Sequence, residues 1–125
     1  MDTATVRVLL VGESQTGFSS LLQRLQKSGC QCHFVASCFD GARLVAHASF
    51  DLILCSGQMN GFQVLSNAAR GSSASLFRYL LVEDGCWWVP AVLRGKQSAG
   101  APALRPSEFA RALDALVSKN ALTGN

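Results

Sequence analysis

At 125 residues and 13.3 kDa the chain has the size of one ordinary domain, expected to span 1–125 with its core over about 6–117. An apolar share of 49% against 15% charged excludes a disordered chain, and a net charge of +3 is too small for a dedicated nucleic-acid binder. No apolar run approaches the roughly 20 residues of a membrane helix, and Met1-Asp2-Thr3-Ala4-Thr5 lacks the basic-then-apolar order of a signal peptide. The expectation is a cytoplasmic protein with no membrane partner and no direct nucleic-acid partner.

Val6 to Val11 is a nearly continuous β-branched and leucine run stopped by Gly12, which predicts a strand buried on both faces. Phe18, Leu21, Leu22 and Leu25 follow at helical spacing, closed by Ser28-Gly29. Cys32 to Ala36 reads as the second strand, and Asp40 as the cap of a short helix turning Leu44, Val45 and Ala48 inward. Phe50 to Cys55 is the third strand, leaving through Ser56-Gly57, and Asn60 is placed to cap a helix with Phe62, Leu65 and Ala69 on one side. Leu76 to Val82 reads as a fourth strand and Ala101 to Leu104 as a short fifth. From Ser107, the spacing of Phe109, Ala112, Leu113, Leu116 and Val117 predicts a last helix.

Strands alternating with helices argue for an α/β fold with a parallel sheet covered on both faces. One segment breaks the alternation. Between the fourth and fifth strands stands Asp84-Gly85-Cys86-Trp87-Trp88-Val89-Pro90-Ala91-Val92-Leu93, where Pro90 would cost a helix about 3 kcal/mol and Asp-Gly signals a tight turn. An extended segment or hairpin is expected there, with Trp87 and Trp88 on opposite faces.

The five cysteines, Cys30, Cys32, Cys38, Cys55 and Cys86, cannot all pair within one chain and read as small apolar residues with free thiols. Cys30 and Cys32 would share one face of a strand, and neither a second C-x-C nor a histidine pair accompanies them, so no metal is expected. In a parallel α/β sheet the loops at the carboxyl ends of the strands make the site. Here they carry Gly12-Glu13-Ser14, Ser56-Gly57, Glu83-Asp84 and Arg105-Pro106.

With those loops placed, the chain resembles the response-regulator receiver domains, the CheY-like family, over roughly Val6 to Leu116. The resemblance is carried by Val8-Leu9-Leu10-Val11-Gly12-Glu13, by Phe50-Asp51-Leu52-Ile53-Leu54-Cys55-Ser56 followed by Asn60-Gly61-Phe62-Gln63-Val64-Leu65, and by Leu104-Arg105-Pro106. It implies a flavodoxin-like, doubly wound five-stranded parallel sheet of order 2-1-3-4-5. The family transfers a phosphoryl group from a histidine kinase to an aspartate, with Mg²⁺ held by acidic residues. In this chain Gly12 occupies the first acidic position and Glu13 the second. Ser56 stands where the acceptor aspartate belongs, Arg105 where a lysine belongs, and Glu83 near a Thr/Ser position. Pro102 falls about where a switch aromatic is common, and the loop from Ser56 to Gly61 is shorter than the family's.

Glycine and serine bring no charge to Mg²⁺, which wants carboxylate oxygens, and an unactivated serine is a poor nucleophile. The resemblance therefore implies a degenerate receiver, or pseudo-receiver, within two-component signal transduction. Such a chain would have no catalysis and no cofactor, and would act as a phosphorylation-independent interaction module for a signalling protein. The alternatives are a small nucleotide- or ligand-binding domain of the same architecture and a still-phosphorylatable receiver. Gly12-Glu13-Ser14-Gln15-Thr16-Gly17 suggests a phosphate loop only faintly, since it lacks the lysine of that motif. Three structural expectations follow from the resemblance. Glu13 and Arg105 face one another, the Arg105–Pro106 bond is cis, and the partner surface is Trp87, Trp88, Val89, Val92 and Leu93, with a two-fold homodimer as its simplest use.

Overall fold

The computed structural model describes residues 6–13, 18–57, 59–83, 85–98 and 100–123, with the backbone alone for residue 82 and residues 116–123. Four parallel strands form its centre: β1 (Arg7–Val11), β2 (Gln31–Val35), β3 (Leu52–Ser56) and β4 (Ser75–Val82). They are joined by α1 (Ser19–Lys27), α2 (Cys38–His47) and α3 (Phe62–Arg70). Beyond β4 the chain turns back through β5 (Gly85–Leu93) and the two-residue β6 (Lys96–Gln97), then closes with α4 (Pro106–Thr123). The result is a mixed six-stranded sheet of order β2-β1-β3-β4-β5-β6.

The alternation within β1 and β3 explains why both faces are covered. Val8, Leu10, Leu52 and Leu54 point to one side, where Phe18 and Leu25 of the α1 region and Phe109 and Leu113 of α4 close over them. Leu9, Val11, Ile53 and Cys55 point to the other, under Cys38 and Val45 of α2 and Leu65 and Ala69 of α3. Strands buried on both faces are those that read as continuous apolar runs.

The hairpin stands where Asp84-Gly85 predicts it, with Val82 opposite Gly85 and Leu80 opposite Trp87. Trp88 turns inward, stacked on Phe109 with ring centroids 4.4 Å apart, while Trp87 lies half-buried on the opposite face. Pro90 fits inside β5 because the polar groups of alternate residues point outward there. Trp88 exchanges two backbone hydrogen bonds with Leu104, so the absent N–H of Pro90 falls on the outer edge, beside the register shift at Leu76/Phe77.

The expected fifth parallel strand does not form. β5, running antiparallel, takes the edge of β4 that such a strand would need, leaving Ala101 to Leu104 a single antiparallel bridge between Leu104 and Trp88. The sheet is thus not the five-stranded parallel 2-1-3-4-5 arrangement. Two helix starts also differ. Ser37, not Asp40, caps α2, its Oγ accepting the Asp40 N–H at 3.0 Å. Gly61, at φ 85°, rather than Asn60, precedes α3, and such a φ favours glycine.

Arg105–Pro106 is trans, since no cis peptide bond occurs among the described residues. Here Pro106 is the first helical residue of α4, where its fixed φ and missing N–H suit the chain. The Arg105 N–H donates to Glu108 Oε1 at 3.0 Å, half of a capping box. Among the described residues, no helix is long and apolar enough to cross a membrane.

Candidate functional site

Gly12 leaves β1 at its carboxyl end, held by its N–H donating to the Val35 carbonyl at 3.1 Å. Ser56 ends β3 beside it. A Cβ placed on Gly12 would sit 3.4 Å from that of Ser56, so the sheet brings the two expected positions together. The same Cβ would meet Cε2 of Phe18 at 2.6 Å. Phe18 is buried and packs edge-on against Phe34 at 6.3 Å, so an apolar ring occupies the space in front of Gly12. Behind Ser56 lie two thiols, Cys38 and Cys55, with sulfurs 3.9 Å apart. Burial pushes both thiols above their ordinary value, which favours the neutral form.

The other expected members do not join them. Glu13 is exposed and makes no ion pair with Arg105, whose guanidinium lies over the Trp87 ring at 5.4 Å. Ring attraction and the position of Arg105 ahead of α4 hold it on the hairpin side. Glu83 follows the end of β4, four residues past Tyr79, the register partner of Ser56; that is about 13 Å of strand. Ser14 to Gly17 and Asp84 lie outside the described residues, and with them most of the phosphate-loop stretch. Asp51 stands at the opposite end of β3, its Oδ2 accepting the Arg7 N–H at 3.0 Å. Among the described residues no group of three or more His, Cys, Asp or Glu side chains is placed to hold a metal ion.

A cation, Arg78, stands opposite Cys55 on the α2/α3 side of the sheet. Its Nε donates to the Gly57 carbonyl at 2.9 Å, and its guanidinium lies 4.3 Å from the centroid of the Phe62 ring. Arg78 therefore ties the loop after β3 to β4 and to the start of α3. Gly57 is pressed closer than Gly12, for a Cβ there would stand 2.1 Å from the Tyr79 carbonyl oxygen. The sequence does carry a signal for Arg78, a lone charge inside the apolar run Leu76-Phe77-Arg78-Tyr79-Leu80. A charge in a strand with covered faces has to find a partner.

Of the expected partner surface, Trp88 and Val92 lie in the chain's own core, at 3% and 0% exposure. Trp87 and Val89 are half-buried and Leu93 is exposed. The outer edge of β5 is occupied as well. Leu104 bonds to Trp88, Ser98 Oγ donates to the Pro90 carbonyl, and Gln97 stands opposite Val92. A scan against protein-family models finds no match, and no curated protein matches the chain in sequence.

Proposed function

We propose that the chain is a degenerate, receiver-like module of signal transduction that acts in the cytoplasm by protein contact rather than by phosphoryl transfer. The observation that carries this reading is the pairing of Gly12 and Ser56 at adjacent strand ends with the Phe18 ring packed against them. In a receiver this is where carboxylates gather Mg²⁺ and the phosphoryl group. An aromatic ring and a serine hydroxyl offer no charge and no carboxylate oxygen to a divalent cation. The parallel β2-β1-β3-β4 block supports the flavodoxin-like comparison, with the hairpin standing in place of the last helix and strand. Arg78, by tying the loop after Ser56 in one position, suits a module with a single signalling state.

The contact surface in this reading is the side of the hairpin bearing Leu80, Trp87 and Val89, and its occupant is a second copy of the chain. Glu83 stands at the turn of the hairpin, and Arg105 lies against Trp87, two residues beyond Gly85. A patch that carries both an anion and a cation can pair with its own copy under a two-fold axis. Incubation with acetyl phosphate and Mg²⁺, followed by intact-mass spectrometry, tests the first half; the expected product is the unmodified chain. A Mg²⁺-dependent phosphoryl adduct on an aspartate overturns it. Sedimentation of the wild type beside Trp87→Ala tests the second: a dimer that dissociates on substitution is expected, and a wild-type monomer removes the surface.

A further inference from the structure

On the opposite face of the sheet, α1 and α4 stand apart and leave a groove of about 990 Å³. That is within the range of small-molecule sites, roughly 300–1,000 Å³. Tyr79, half-buried, lies at its surface edge-on to Trp88 at 5.1 Å, while Trp88 and Phe109 are buried beneath it at 3% and 1% exposure. Trp88 is held by its stacking on Phe109, so the buried floor against which Tyr79 rests is fixed before anything binds. From Ser20 to Lys27 the α1 wall runs about 10 Å, close to the length of a two-ring molecule.

Three charged side chains line the groove. Arg24 and Asp114 neutralise each other across it, 2.9 Å apart. Lys27, on the same wall as Arg24, makes no ion pair with any described residue, and Ser20, Gln23 and Ser28 supply hydrogen-bonding groups. An apolar lining with the Tyr79 ring at its surface, and one cation that pairs with no described residue, is complementary to a flat apolar body carrying one negative charge, and a polyphosphate would find too little positive charge. We infer that the α1/α4 groove is a binding site for a planar aromatic mono-anion, a carboxylate or sulfonate. The site is independent of the receiver-like reading, since it shares no residue with Gly12, Ser56 or the Trp87 surface.

Calorimetric titration with 2-naphthoate, and with 2-naphthamide as its uncharged counterpart, tests this directly. Saturable one-to-one binding of 2-naphthoate is expected within about 1 mM, the range open to a ligand of this size. Lys27→Met weakens 2-naphthoate by about fivefold, the upper end for an exposed ion pair, and leaves 2-naphthamide unchanged. Ala110→Trp, which fills the groove from α4, abolishes binding of both, and Trp87→Phe on the other face alters neither. If Ala110→Trp does not fold by circular dichroism, Gln23→Trp fills the groove from α1 and carries the same expectation. Absence of saturable binding, equal affinity for the two compounds, or binding that survives a filled groove overturns the inference.

Discussion

Tyr79 is the only tyrosine of the chain, and its hydroxyl donates to Cys86 Sγ. That hydrogen bond, reinforced by burial, holds the phenol above its ordinary value of 10.0, because it favours the protonated form. Phenolate absorbance therefore reads one group, and its midpoint is expected above about 10, falling toward that value in Cys86→Ala. Two glycines make a second residue-scale test. Gly12→Ala sets a methyl against a ring that can shift, at a cost of about 1–3 kcal/mol. Gly57→Ala drives one into the Tyr79 carbonyl, which belongs to a central strand and cannot retreat. It is expected to cost more than Gly12→Ala, about 3 kcal/mol or above, read from urea midpoints. The reverse order of the two would mean that the β3 exit yields more readily than the Phe18 packing.

At the scale of elements, the hairpin divides two neighbouring tryptophans between unlike environments. Trp88→Ala removes a buried, stacked ring and is expected to destabilise by about 3–5 kcal/mol, while the half-buried Trp87 costs about 1 kcal/mol in urea unfolding of the same substitution. Equal costs would contradict the face assignment. That assignment was legible in sequence because period-two alternation and the Asp-Gly turn are local signals. The parallel block was legible for the same reason, through runs such as Val8-Leu9-Leu10-Val11. What the sequence hid was pairing at a distance. The choice between Ser37 and Asp40 as a cap turns on backbone geometry, for both are good capping residues three positions apart. Ala101 to Leu104 reads as a strand, yet the neighbour it needed was already paired with β5. Gly12 and Ser56 could be placed together from strand order, but nothing local to Phe18 marked it as the ring that covers them. Arg105 likewise found Trp87 rather than Glu13, a competition that spacing along the chain does not reveal.

For the molecule as a whole, thiols buried along the sheet make stability a function of alkaline pH. Burial, with smaller contributions from Cys32 and Asp51, pushes Cys30 from 9.0 to about 11, and burial also raises Cys32, Cys38 and Cys55. A raised folded value means that the unfolded chain loses its thiol protons first. Stability is therefore complete below about pH 9 and is lost as the pH climbs through 9 toward 11. Urea midpoints are expected to fall across that window; midpoints that stay level to pH 11 would show the thiols to be as readily ionised in the fold as outside it. The covering of β5 has a different reach. Growth of a fibre by strand addition requires two open margins on each molecule. On the hairpin side, Leu104 and Ser98 satisfy the strand's outward groups, and the last strand is only two residues long. Among the described residues that leaves β2 as the one full-length margin, so association through these sheet edges ends with two chains back to back and does not propagate.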